Sequence, residues 1–164
     1  MKNSLKIALF VLILLLDMSA LLLVTLPVHA SDLTGKPHII DGDTIEVSGQ
    51  RIRLHGIDAP EWDQTCTKGG EKYSCGQAAT AALKMMVADR GVNCQGKDVD
   101  RYGRIVAVCF VGKADINARM VMLGWALSYR RYSMDYVDEE ARAKGSHSGM
   151  WAGEFIEPWE WRNR

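Results

Sequence analysis

All four cysteines of this 164-residue chain, Cys66, Cys75, Cys94 and Cys109, lie downstream of a long apolar run at its start. That placement limits the fold more than any other feature. An exported chain with an even cysteine count suggests two disulfides, with three pairings open. Cys66–Cys75 with Cys94–Cys109 is the favoured pairing, because Val92 to Gln95 and Ile105 to Val111 read as neighbouring strands. The second bridge closes a loop of about 16 residues, worth ~3 kcal/mol in the chain-entropy model. Zinc is the competing use of four cysteines. The spacings are not C-x2-C, and thiolates seldom stay reduced outside the cytosol, so disulfides are the expectation.

The start of the chain supports export. Lys2 and Lys6 precede an uninterrupted apolar run from Ile7 to Leu16, and Val28-His29-Ala30 resembles the pattern before a signal-peptidase cut. Residues 1–30 are therefore expected to be a signal peptide, and the protein to be periplasmic or extracellular. An uncleaved anchor is the alternative, because apolar character resumes from Met18 to Val28 and about 20 apolar residues span a bilayer. Asp17 argues against a stable span, since a central carboxylate costs ~3 kcal/mol on insertion scales. Residues 31–164 then form one domain with room for a core. Lys2, Lys6 and Asp17 are the only charged side chains of the first thirty, so the remainder carries a net charge of about −1. Bulk charge does not announce a nucleic-acid binder. A grip on a polyanion must come from a local basic patch or a bound cation.

Strand-like runs dominate up to Cys66. Ile39-Ile40 leads into an Asp41-Gly42 turn, Thr44 to Val47 into a Ser48-Gly49 turn, and Arg51 to Ile57 follows. Gly76 to Asp89 reads as a helix, with Ala79, Leu83 and Met86 among its apolar stripe and Gly91 to end it. After the strands at 92–95 and 105–111, Asp115 is a good N-cap for a helix carrying Ile116, Met120, Leu123 and Leu127. A third helix starts near Asp135, with an acidic first turn at Asp138, Glu139 and Glu140. Three strands, a helix, two strands and two helices predict an α+β chain: a five-stranded OB-type Greek-key barrel with three packed helices.

Four places carry candidate chemistry. Asp41 and Asp43 flank Gly42 in "IIDGDTIEV", which also suits a plain hairpin turn. Arg53, Asp58 and Glu61 line "RLHGIDAPE", where Pro60 stiffens the turn; a polar strand end is the plain alternative. Arg101 and Arg104 surround a Tyr102-Gly103 turn in "DRYGR", which also suits a solvated hairpin loop. "YRRY", Tyr129 to Tyr132, follows the second helix. Together these residues have one use. Two aspartates hold a hard, oxygen-seeking cation such as calcium. A glutamate deprotonates a water. Two arginines clamp a phosphoryl group as charge builds. In a regular strand Arg53 and Asp58 face opposite ways, so the strand must bend between them, and Gly56 is the natural place.

The run Ile40 to Glu61, with "DRYGR" and the later "GWA", resembles the staphylococcal nuclease (thermonuclease) family over roughly Lys36 to Trp151. The resemblance implies a calcium-dependent nuclease that cuts DNA and RNA and leaves 3′-phosphates. It implies Asp43, Asp58 and the backbone carbonyl of Ala59 as calcium ligands, with Asp41 behind them. It implies Arg53, Glu61 and Arg104 as the catalytic trio and Tyr132 as a substrate contact; Arg101, Tyr102 and Arg130 are further candidate substrate contacts, with a solvated loop the plain alternative for "YRRY". Where the family often has two tyrosines after the second helix, this chain has Arg130 and Tyr132. The cysteines are absent from the best-known member, and Cys66–Cys75 would tie down the loop after Glu61. The alternative is a noncatalytic OB module that binds nucleic acid or protein, since fold alone never fixes function. His38, His55 and His147 lack metal-ligand spacing. The tail "GMWAGEFIEPWEW" is expected to fold back on the barrel rather than to stack on bases.

Overall fold

A computed structural model describes residues 32–164. The expected signal peptide lies outside the described residues, and among those described no helix is long and apolar enough to cross a membrane. The first strands, β1 (Leu33–Gly35), β2 (His38–Ile39), β3 (Thr44–Val47), β4 (Gln50–Leu54) and β5 (Ile57–Asp58), are short. β6 (Cys66–Lys68) and β7 (Glu71–Tyr73) form a hairpin before helix α1 (Cys75–Val87). β8 (Val92–Val99), β9 (Ile105–Val111) and β10 (Ala114–Asp115) precede α2 (Ile116–Met122). β11 (Leu127–Ser128), α3 (Val137–Gly145), a 3-10 turn (Gly149–Ala152) and α4 (Pro158–Trp161) complete the order. The chain is α+β, as its sequence predicts, and strands β1-β8-β9-β4-β3-β2 form one sheet in that order.

Both expected disulfides are present, Cys66–Cys75 and Cys94–Cys109. Cys94 and Cys109 face each other in the antiparallel β8–β9 register. The main core takes Ile45, Val47, Ile52 and Leu54 from β3 and β4, Leu83 from α1, and Ile116 and Met120 from α2. Asp115 caps α2, its side chain accepting from the Ala118 N–H at 3.0 Å. A second cluster joins the Cys66–Cys75 bridge to Leu127 and Met150, with Trp125, Trp151, Phe155 and Trp159 packed against it. The tryptophan-rich tail thus folds back on the domain, as expected.

Several elements differ from their sequence reading; the strand expected over 92–95 runs on to Val99. The run 51–57 is not one strand. β4 ends at Leu54, Gly56 takes φ 72°, and β5 leaves to pair with β11. The helix after Asp115 stops at Met122 and does not reach Leu127, because Gly124 turns the chain at φ 72°. Leu127 then pairs with Asp58 across β11 and β5. The tail adds a fourth helix, α4, started by Pro158, whose ring suits a first helical turn.

Gly56 is where the expected bend falls. A Cβ there would sit 3.1 Å from Tyr136 Cε2 and 3.2 Å from Ser133 Cβ, on backbone that L-residues enter at a cost of about 1–2 kcal/mol. Gly56→Ala should lower stability by at least about 1–2 kcal/mol, read from urea unfolding midpoints. An unchanged midpoint would mean the bend tolerates a side chain.

Candidate active site

The sheet builds the site by register. Antiparallel pairing sets Thr44 opposite Arg53, and the Leu54 N–H donates to the Asp43 carbonyl at 2.8 Å. Asp43 therefore lies beside the end of β4. Parallel pairing of β4 with β9 sets Ile52 opposite Ile105, so Arg104 enters at the same edge as Arg53. The bend at Gly56 then returns the chain so that Asp58 meets the Arg53 side chain.

Arg53 is the hub. Its Nη2 donates to Asp58 Oδ1 at 2.6 Å and to the Ile57 carbonyl at 3.2 Å, and its Nη1 pairs with Asp43 Oδ1. Asp43 Oδ2 accepts from the Ala59 N–H at 2.8 Å, and Asp43 Oδ1 from the Thr44 hydroxyl at 3.1 Å. Asp43 and Asp58 are 4% and 0% exposed, so their charges depend on these partners. Asp41 sits behind, its Oδ1 accepting from the Asp43 N–H at 3.0 Å. Burial raises the Asp41 pKa against the opposing pull of Arg53. Burial also lowers the Arg53 pKa, while the charge and hydrogen bond of Asp58 resist it.

Glu61 follows Pro60 on a loop held by Gln64. The Gln64 N–H donates to the Glu61 carbonyl at 2.8 Å, and Gln64 Oε1 accepts from the Glu61 N–H at 3.2 Å. The start of α1 closes on this loop: a Cβ on Gly76 would lie 1.7 Å from the Glu61 carbonyl oxygen, so only glycine allows the approach. Arg104 is oriented by Asp100. Asp100 Oδ2 accepts from Arg104 Nε at 2.7 Å, and Oδ1 from the N–H groups of Arg104 at 3.0 Å and Tyr102 at 2.9 Å. The charge of Arg104 bears on both Asp41 and Arg53. Tyr102 is exposed beside it, with the Arg104 guanidinium 5.4 Å from the ring centroid.

The fold thus gathers Arg53, Asp43, Asp58, Asp41 and Ala59, with Glu61 and Arg104 at the margins. The other expected contacts lie farther from the carboxylates in the bonding pattern. Arg101 donates to the Tyr102 hydroxyl at 2.6 Å. Arg130 pairs with the buried Glu140 at 2.5 Å, so its guanidinium has a structural partner already. Tyr132 is exposed and meets Tyr129 edge-on, with centroids 5.0 Å apart. A hollow of about 450 Å³, lined in part by Gln95, Phe110 and Tyr136, contains none of these residues.

Three residues of the site escaped the sequence reading. Asp100 left a signal, since an aspartate opening a turn often accepts from the N–H two residues on. Gln64 left none. Arg162 lies in a tail that reads as acidic, yet its Nη1 donates to Asp58 Oδ1 at 3.1 Å and Glu61 Oε1 at 2.5 Å, and its Nη2 to Asp58 Oδ2 at 2.7 Å. Burial opposes the charge of Arg162, but its bonds to Asp58 and Glu61 outweigh this and raise its pKa.

Among the described residues, no three His, Cys, Asp or Glu side chains converge as a metal cage. Two buried carboxylates still suit a hard cation that fills its shell with carbonyl oxygens and water.

The sequence is similar to those of known proteins. The family described as staphylococcal nuclease homologue matches residues 51–153. The chain belongs to the staphylococcal nuclease family. It is 35% identical over 149 residues to an uncharacterized endonuclease of Escherichia coli, covering 84% of this chain and 90% of that one. It is 32% identical over 162 residues to the micrococcal nuclease of Shigella flexneri, covering 88% of each. It is also 35% identical over 126 residues to the succinoglycan biosynthesis protein ExoI of Rhizobium meliloti, covering 74% of this chain and 66% of that protein. Family and relatives together make this staphylococcal nuclease homologue a hydrolase of the endonuclease type.

Asp100 gives a test of how Arg104 is held. Burial works against its charge, but hydrogen bonds from the Arg104 and Tyr102 N–H groups and the Arg104 guanidinium hold its pKa below the ordinary value. A depressed carboxylate stabilises above its unfolded pKa of about 3.9 and loses that contribution as pH falls through the folded value. The stability advantage of wild type over Asp100→Asn should be full above about pH 5 and vanish in stronger acid. The variant should also cut about tenfold more slowly or worse through a misplaced Arg104, with a smaller change in KM. Steady-state kinetics and acid unfolding read the two effects; an unchanged kcat would show that Asp100 does not position Arg104.

Proposed function

We propose that this staphylococcal nuclease homologue is an exported, calcium-dependent nuclease that hydrolyses phosphodiester bonds of DNA and RNA and leaves 3′-phosphate ends. One observation carries the reading: a single partly buried guanidinium, Arg53, binds both Asp43 and Asp58, which supports a phosphate-binding role for it beside carboxylates suited to a cation. The two disulfides support an oxidising compartment. A noncatalytic module has no need to retain Glu61 and Arg104 beside that cluster.

Asp43, Asp58 and the Ala59 carbonyl would hold the cation, which when bound polarises the phosphate and offsets its charge. Glu61 accepts a proton from the water that attacks phosphorus. Arg53 and Arg104 donate to the phosphoryl oxygens as the five-coordinate state gathers charge. The bond to the 5′ oxygen breaks, that oxygen takes up a proton, and the phosphate stays on the 3′ side. Tyr102 and Tyr132 are exposed and offer faces on which bases can stack.

Single-stranded DNA digestion by the oxidised protein should require calcium, stop with a calcium chelator, and fall ~10²–10⁴-fold in Glu61→Gln. Magnesium should substitute poorly, because its tighter octahedral geometry suits a loose carboxylate pair less well. Full activity in chelator would remove the cation from the mechanism.

Arg53→Lys and Arg104→Lys should each lose ~10²–10³-fold in kcat despite keeping charge, because an ammonium cannot present the planar fork. Full rates in both, measured on the same substrate, would reassign the clamp.

A further inference from the structure

Arg162 belongs to no element of the sequence-derived site, yet it makes three hydrogen bonds to two of that site's carboxylates. We infer that Arg162 is a further residue of the active site and that it and the divalent cation exclude one another at Asp58. The inference rests on the calcium reading above.

The bond pattern at Asp58 carries it. Oδ1 is shared between Arg53 and Arg162, whereas Oδ2 accepts from Arg162 alone, at 2.7 Å. The Asp58 side chain is wholly covered, and the Arg162 side chain remains 37% exposed on its outer side. Arg162 therefore forms the lid between Oδ2 and solvent. A cation with ligand distances of about 2.3–2.6 Å that takes Oδ2 from solvent must displace a guanidinium bonded there at a similar distance and carrying the same sign of charge. Displacing Arg162 from Oδ2 leaves the bond of Arg53 to Oδ1 in place.

The arm that delivers Arg162 is docked by residues before it. Thr67 and Glu154 exchange backbone hydrogen bonds at 2.8 Å each way. Gln64 Nε2 donates to the Ile156 carbonyl at 2.7 Å. Trp159 stacks on Tyr129, with centroids 5.4 Å apart and planes 2° from parallel. Trp161 Nε1 donates to Asp63 Oδ1 at 3.4 Å. Removing the Arg162 side chain leaves all four attachments in place. The exchange is thus a side-chain movement on a fixed arm. Glu61 shares it: the proton acceptor is bonded to Arg162, and displacement of Arg162 by the cation releases it.

Calcium titration by calorimetry on the oxidised protein tests this directly. If Arg162 covers Oδ2 for ~90% of the time, the apparent calcium Kd is about tenfold weaker than the uncovered value. Arg162→Ala should therefore bind calcium about tenfold tighter than wild type. Arg162→Lys should fall between them, since one ammonium cannot hold both oxygens of Asp58 and Glu61 together. Thermal unfolding of each variant should stay cooperative, because the arm's attachments are intact. Equal or weaker calcium binding by a cooperatively folded Arg162→Ala overturns the exclusion and leaves the calcium site standing. No calcium binding in wild type and Arg162→Ala alike overturns the calcium site and the exclusion with it.

Discussion

A partly buried guanidinium between two buried carboxylates holds the candidate site of this nuclease homologue together. Charges taken out of water are costly unless their lone pairs and protons are met by partners. Arg53 meets that demand for Asp43 and Asp58 at once. Its position constrains three elements. β3 must run beside β4 to bring Asp43. β5 must fold back to bring Asp58. β9 must lie parallel to β4 to bring Arg104. The sheet order β9-β4-β3 satisfies the first and the last, and the bend at Gly56 satisfies the second.

The second layer of organisation is a set of short polar links from the scaffold to the site. Asp100 spends both carboxylate oxygens on the Tyr102-Gly103 turn and on Arg104. Gln64, fully buried, ties the Glu61 backbone to the tail at Ile156. The Cys66–Cys75 bridge lies in the same cluster as Leu127 and Met150, under the aromatic tail. That bridge, the glutamate loop and the tail form one continuous patch around a single glutamine.

Much of this was legible in sequence, for identifiable reasons. Arg53 and Asp58 are five positions apart, so local geometry dictates their meeting once the strand bends at Gly56, with Glu61 on the loop just beyond. The bend itself follows from parity, because period-two side chains cannot otherwise bring Arg53 to Asp58. Cys94 and Cys109 were readable because each lies on a run of strand character. Boundaries set by long-range pairing were less readable. Leu127 has helical spacing from Met120 and Leu123, but its partner is Asp58, 69 positions earlier in the chain, and nothing near Leu127 records that. Arg162 is the extreme case. It lies 104 residues from Asp58, in a segment whose glutamates suggest distance from a polyanion. Only the docking of the tail turns it inward.

The attachment of that tail brings the segment around Arg162 against Asp58 and Glu61. Arg164 lies two residues past the guanidinium that touches Asp58 and Glu61. Its own guanidinium rests 5.2 Å from the Trp161 ring centroid. An affinity tag fused after Arg164 therefore begins two residues from a side chain bonded to Asp58 and Glu61. For laboratory work the amino side, where β1 sits at the edge of the sheet opposite β2, is the quieter place to fuse a handle.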